Sequence, residues 1–598
     1  MSTRPTSVAP TLLATAVLLA LSGCRSSSDV AITAPPPPEE PAALQEPSRE
    51  QQSRRLESVV VTGTRVRSAE ANAVANAAYA PPPPPAPPAP MARMAPSMAA
   101  PPADFAVLPE PDTERYADVP SNPVQRVAEQ PVSTFSIDVD TGSYSNLRRM
   151  IGWGQRPPSD AVRIEELLNY FDYGDAPPAD RADPFAVRTE LARAPWNPKR
   201  LLLRVALKAW EMPAAAMPPS NLVFLVDTSG SMQEPDKLPL VKQALRELVL
   251  QMRPQDRIAL VVYAGSAGLV LPPTSGEGKE SILAALDQLE AGGSTNGGAG
   301  IELAYRVARD ARIEGGINRV VLATDGDFNV GTVDQTALET YVAEQRKHGI
   351  ALSTLGFGQG NYNDALAERL ADVGDGNHAY IDSPREARKV LRDEMAGTLM
   401  TVAKDVKVQV EFNPAQVAEY RLVGYENRLL RREDFDNDAV DAGEIGAGHD
   451  VTALYEIALA GSGGEWNAPL RYAATTPATA GRPGEIATVR LRWQPPRGGT
   501  SRLLERPVRR ADLTDTASPS LGWAAAVAAY GERLRGGEAL GGADWPAVVG
   551  WLDTAYRADA NARDLPSRRE LLALARTAAA LDGVALPAPD VPEPIARD

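Results

Sequence analysis

Five consecutive apolar residues, Leu222-Val223-Phe224-Leu225-Val226, run directly into Asp227-Thr228-Ser229-Gly230-Ser231. A short apolar run with no polar alternation suits a strand covered on both faces, the usual state of a parallel strand. The same grammar recurs at Arg319-Val320-Val321-Leu322-Ala323-Thr324, which ends on Asp325. Between them lies Gly292-Gly293-Ser294-Thr295-Asn296, which offers a hydroxyl at Thr295. In a doubly wound sheet the strand C-termini open onto one crevice. Two carboxylates and three hydroxyls gathered there make an oxygen-only site of octahedral type, suited to Mg²⁺ or Mn²⁺.

Asp-x-Ser-x-Ser, then a Thr, then an Asp at a strand end resembles the metal-ion-dependent adhesion site of the von Willebrand factor A domain. Asp227, Ser229, Ser231, Thr295 and Asp325 fill every position of that motif. The resemblance implies that Ser229, Ser231 and Thr295 bind the ion directly, while Asp227 and Asp325 bind it or act through water. It also implies an open coordination position, completed by a carboxylate from a partner protein. Loops carrying Thr228, Met232, Asn296 and Phe328 are expected to rim the site and set specificity.

Strand-like and helix-like runs alternate from Asn221 to Met400, as a parallel sheet requires. Strands are expected at 222–226, 258–263, 320–324 and 351–357. Helices are expected at 238–252, 281–289, 300–311, 335–348 and 363–373, with a last one over 384–399 carrying the chain out. Strand runs also lie on both sides of this region, at 185–191, 201–207, 406–412, 451–459 and 486–493. The expected fold is therefore α/β: a doubly wound, mostly parallel sheet inserted in a flanking β-rich domain whose two halves pair into one sandwich. A helical segment, 520–535, 545–556 and 567–581, should close the chain. Thr134 to Tyr144, the amphipathic run Val162 to Phe171, Tyr420 to Arg428 and Asp441 to His449 resemble the flanks of YfbK-like bacterial lipoproteins. The expected divisions are 116–217, 221–400, 401–517 and 518–586.

The first 112 residues read differently. Residues 1–23 combine Arg4 with the apolar stretch Thr11 to Leu21, the pattern of an export signal. Leu21-Ser22-Gly23-Cys24 resembles a lipobox, which implies cleavage before Cys24 and lipid on its thiol. Cys24 is also the one cysteine in the chain, so no internal disulfide forms. Arg25 follows it, which by the sorting habit of such lipoproteins implies the outer membrane, facing the periplasm. Residues 24–112 are Pro- and Ala-rich, with Pro35 to Pro38 and Pro81 to Pro85 favouring a disordered, extended tether. Within it Leu56 to Arg65 is rich in β-formers, resembles a segment of TonB-dependent receptors, and is read as a sticky patch in a linker.

The formal net charge of -16 argues against nucleic acid as a partner. The three histidines, His348, His378 and His449, sit in no zinc motif, and neither a nucleophile elbow nor a phosphate-binding loop is present. Asp138-Val139-Asp140-Thr141 has the spacing of a turn after a strand, since Thr141 sits one place too early for a phosphatase nucleophile. Asp434 to Asp438 opens like a calcium loop but lacks the glycine and the final glutamate, and is read as a polar turn. The expected function is a binding module, not an enzyme. A metal-dependent hydrolase or phosphatase, or a structural envelope-assembly role, are the alternatives.

Overall fold

The computed structural model describes residues 114–588, except 118–119, 181, 214–215, 295–296, 327–334, 361, 469–481 and 497. The expectations for the signal peptide, Cys24, the tether and Leu56 to Arg65 lie outside the described residues. Strands β1 (Gln125–Arg126), β2 (Val132–Ser136), β3 (Phe185–Ala194) and β4 (Asn197–Ala209) come first. Next are β5 (Ser220–Asp227), β6 (Arg257–Tyr263), β7 (Ala267–Ser275), β8 (Ile317–Thr324), β9 (Ala351–Phe357) and β10 (His378–Ile381). After them come β11 (Thr401–Phe412), β12 (Val417–Val423), β13 (Ile445–Gly446), β14 (Asp450–Leu459), β15 (Glu485–Gln494), β16 (Arg502–Arg509) and β17 (Leu513–Thr514).

The central sheet has the order β10-β9-β8-β5-β6-β7 and is parallel except for β7. Every residue of β5 is buried, which explains its unbroken apolar run. Leu222, Phe224 and Val226 face one helical layer, with Leu240, Ala244, Ile282, Leu286, Val390 and Leu391. Val223 and Leu225 face the other, with Ile301, Ala304, Leu338, Val342 and Leu370. Each alternate set therefore has its own core, as period-two side-chain placement in a strand dictates.

The flanks form one body. β2, from before the central domain, pairs antiparallel with β11 from after it. β14 pairs with β4, and β12 with β1, in the same fashion. Two sheets result, β1-β12-β14-β4-β3-β17 and β13-β11-β15-β16 with β2 beside β11. Their facing sides share a core in which Phe412 stacks on Tyr420 at 4.2 Å between ring centroids and Phe185 meets Trp493 at 4.8 Å. The outer side of the first sheet, through Ala192, Leu202, Val423 and Leu454, packs on helices Gly142–Gly152, Ile164–Asn169, Pro519–Leu534, Trp545–Ala558 and Leu565–Leu581. Among the described residues no helix is long and apolar enough to cross a membrane.

The expected final helix of the central domain is not continuous. It runs as Pro384–Arg388, a π-turn Lys389–Asp393 and Met395–Leu399, with Glu394 N–H donating to Lys389 O at 2.8 Å. That extra residue in the turn redirects the chain towards β11.

A buried ionic seam fixes the central domain to the sandwich. Arg428, between β12 and β13, contacts Asp138 and Asp140 before the first helix at 3.3 and 3.7 Å. It also reaches Glu368 and Asp372 of the central helix Asp364–Val373 at 2.9 and 2.7 Å. Arg163 joins Glu166 to Asp364, the latter at 2.6 Å. The Asp138, Glu166 and Glu368 carboxylates lie within 4.8 Å of one another, and these two guanidiniums provide their counter-charge. Removing one partner from such a buried group strands the others, at a cost of about 3–5 kcal/mol. Arg428→Met is accordingly expected to lower the unfolding free energy by roughly that amount. Urea melts against wild type check it; a change within error would mean the seam is dispensable.

Candidate metal site

The site lies at the topological switch point of the central sheet, where β5 has β8 on one side and β6 on the other. Asp227 is the last residue of β5. Beyond it the chain bends towards β6, because Thr228 N–H and the Thr228 hydroxyl both donate to Tyr263 O, at 3.0 and 3.2 Å. Two further backbone bonds tie this loop to the one before helix Gly297–Asp310: Gly292 N–H to Thr228 O at 2.8 Å, and Gly230 N–H to Gly293 O at 3.0 Å. The loop is thus fixed by its main chain and the Thr228 hydroxyl, which leaves the Ser229 and Ser231 hydroxyls for chemistry.

Those side chains converge. Ser229 N–H donates to Asp227 Oδ1 at 2.8 Å, and the Ser229 and Ser231 hydroxyl oxygens are 3.0 Å apart. Asp227, Ser229 and Asp325 are buried, while Ser231 is half-buried. Asp325 follows β8, which pairs in parallel with β5 with Val226 opposite Ala323, so both acids leave the same end of the sheet. The turn after Asp325 requires Gly326, whose φ is +91° and where a Cβ would fall 2.2 Å from Asn363 N. Four of the five expected ligands are therefore brought to the same strand-end crevice. Thr295, together with Asn296 and Phe328, lies outside the described residues.

Asp227 carries the clearest chemical statement. Among the described residues its buried Oδ2 has no partner at hydrogen-bond geometry. Burial pushes its carboxyl up to about 6; the Ser229 N–H and hydroxyl oppose this, the Asp325 charge adds to it, and the Tyr263 hydroxyl opposes it again. An oxygen-only donor set with an orphaned carboxylate oxygen fits a hard divalent cation. The cation present at Asp325 is the Lys237 ammonium, 2.9 Å from Oδ2.

Two expected rim residues are placed otherwise. Met232 is fully buried in the core, held inward by the short 3₁₀ turn Gly230–Gln233. Thr228 is buried too, its hydroxyl spent on Tyr263 O. Neither can touch a partner directly. Sequence reasoning also missed Lys237, which stands at the start of helix Leu238–Gln251, and the role of Asp138 and Asp140 in the seam. The paired acids at a strand exit were visible; their basic partners were far away in sequence.

A carboxyl more readily protonated folded than unfolded favours the fold only in its neutral form. That contribution is full below the ordinary value of 3.8 and is lost as pH rises through about 6. Asp227→Asn keeps the shape and removes the charge. In a chelator it is expected to melt above wild type at about pH 8, the gain vanishing near pH 4. Thermal melts across that range check it, and equal melting temperatures at the alkaline end would contradict it.

Three family profiles match the chain: "von Willebrand factor" over residues 110–204, "von Willebrand factor type A domain" over 221–393, and "Uncharacterized protein YfbK, C-terminal" over 397–581. YfbK of Escherichia coli (strain K12) is 50% identical over 456 residues, 75% of this chain and 79% of that one. A Synechocystis protein, sll0103, is 29% identical over 34% of this chain and 46% of its own length. Human inter-alpha-trypsin inhibitor heavy chain H4 is 28% identical over 31% of this chain and 21% of its own. The chain thus spans under half of these last two relatives. Among solved structures, a von Willebrand factor type A protein from Catenulispora acidiphila aligns over 67% of this chain and 91% of its own, with 18% identity and a TM-score of 0.38.

Proposed function

The chain belongs to the YfbK family and carries a von Willebrand factor type A domain, and on that premise we propose that it is a metal-dependent protein-binding module of the bacterial cell envelope. The observation that carries the reading is the Asp227 carboxylate, whose buried Oδ2 has no hydrogen-bond partner among the described residues, at the head of a loop whose two serine hydroxyl oxygens are 3.0 Å apart. Asp227, Ser229 and Ser231 would hold the ion, with Asp325 and, by resemblance, Thr295 completing the set. A hard divalent cation, Mg²⁺ or Mn²⁺, would supply a Lewis-acid position there for one carboxylate oxygen of a partner protein.

The chain's own residues make that association conditional. Two buried carboxylates on a protein of net charge -16 repel an incoming acid. The backbone ties from Thr228 and Gly230 hold Ser229 and Ser231 in place before any partner arrives, so little ordering entropy remains to be lost. The lipobox-like Leu21 to Cys24 and the Pro-rich stretch after it support a lipid-anchored domain held off the outer membrane by a tether.

Stabilisation by the ion should follow mass action, so the melting temperature is expected to climb with Mg²⁺ or Mn²⁺ concentration in wild type and not in Asp227→Asn. Crosslinking in cells, compared between wild type and the same variant, should lose its acidic-protein adducts in the variant and in EDTA. An undiminished metal response in Asp227→Asn would falsify the site. Separately, Cys24→Ser is expected to move the protein from the membrane to the soluble fraction on cell fractionation.

A further inference from the structure

Asp325 already holds a cation, and the fold is shaped to bring it there. Lys237 is 5% exposed. Its ammonium donates to Asp325 Oδ2 at 2.9 Å. The aliphatic stem lies across Gly358, just beyond β9: a Cβ there would fall 2.3 Å from Lys237 Cγ, 2.4 Å from Cε and 2.8 Å from Cδ. Gly358 has φ +73°, so backbone conformation and space both call for glycine. The main chain of Lys237 is pinned as well. Its N–H donates to Glu234 O at 3.0 Å, and its carbonyl accepts from Val241 N–H at 2.9 Å, opening helix Leu238–Gln251. This is a lysine with a groove for its stem, a fixed root and a buried acceptor for its head.

We propose that Lys237 is a tethered competitor for the divalent ion, a residue that sets the metal affinity of the site by supplying Asp325 with an internal cation. The inference rests on the reading of Asp227, Ser229, Ser231 and Asp325 as a metal site. An ammonium and a divalent ion that address the same buried carboxylate repel one another at short range, where little water screens them. Binding of the ion must therefore either displace the ammonium from Asp325 or tolerate it alongside, and both lower affinity relative to a site without it. The same pairing relieves the desolvation cost of Asp325, which otherwise falls in full on a buried carboxylate. Lys237 thus stabilises the metal-free fold and weakens the metal-bound one. The site would load only where the ion is plentiful.

The test measures Mn²⁺ binding directly, by calorimetry and by electron paramagnetic resonance of the free ion, on the full-length wild type, Lys237→Met and Lys237→Arg. Methionine keeps the stem in the Gly358 groove and removes the charge. Arginine keeps the charge. Circular dichroism confirms that each variant is folded. The expected result is a dissociation constant at least about ten-fold lower in Lys237→Met, a difference of about 1.4 kcal/mol, with Lys237→Arg near wild type. In a chelator, Lys237→Met is expected to melt below wild type. If wild type and Lys237→Met bind Mn²⁺ equally, or if the variant binds more weakly, the competitor role is overturned and the metal site stands. If neither protein binds the ion, both fall.

Discussion

A carboxylate at the end of a fully buried strand must find a cation or surrender its charge, and this chain ends two adjacent parallel strands that way. Asp325 has the Lys237 ammonium. Asp227 has only the dipoles of the Ser229 N–H, the Ser229 hydroxyl and the Tyr263 hydroxyl among the described residues, and its Oδ2 has no partner there at hydrogen-bond geometry. The asymmetry explains why burial leaves Asp227 pushed up to about 6. It also locates the reactive end of the crevice on the β5 side, next to the two serine hydroxyls.

The same constraint, applied a second time, holds the molecule together. The seam gathers Asp138, Asp140, Glu166, Asp364, Glu368 and Asp372 around Arg163 and Arg428. These residues come from before, within and after the central domain. His378 joins them, its backbone N–H donating to Asp140 Oδ1 at 2.9 Å and its ring nitrogens to or from Thr354 and Tyr362, each at 2.9 Å. Apolar packing has little directional preference, whereas a guanidinium that addresses several carboxylates from different elements at once fixes their relative orientation. The seam docks along the β10 side of the central sheet and leaves β7 as the opposite edge, with Leu269 and Val270 exposed.

What the sequence made legible was whatever periodicity and strand-end chemistry encode locally. The run Leu222 to Val226 and its counterpart Val320 to Thr324 are fully buried, with their terminal acids in one crevice. The sandwich formed from both flanks could be anticipated because strand runs lay on either side of an α/β pattern. β7 was not anticipated, since Pro272 and Pro273 interrupt it; an antiparallel edge strand tolerates them because one side of it has no ladder to complete. β10 is four residues long, too short for alternation to declare itself. Met232 and Thr228 were misplaced because a residue's position in a loop does not say which way its side chain turns. Lys237, Arg163 and Arg428 escaped for the opposite reason: each is an ordinary surface residue type whose partner is fixed only by tertiary contact.

Helix Leu238–Gln251 links the strand-end crevice to the segment by which the chain enters the sandwich. It starts at Lys237, whose head is on Asp325. Leu240, Val241, Ala244 and Leu248 share a core with Ala387, Val390 and Leu391 of the exit segment. Glu247 on the same helix pairs with Arg388 and Arg392 at 3.4 and 4.0 Å. Arg388 immediately precedes the π-turn and Arg392 lies within it, on the segment that leads towards β11, the strand on which the two flanks meet. A close-packed contact of this kind transmits displacement, because neither side can move alone without opening a void. The helix that presents the lysine therefore has its other end built into the route by which the chain leaves the domain, so the Lys237–Asp325 pair and the exit segment are packed onto one rigid element.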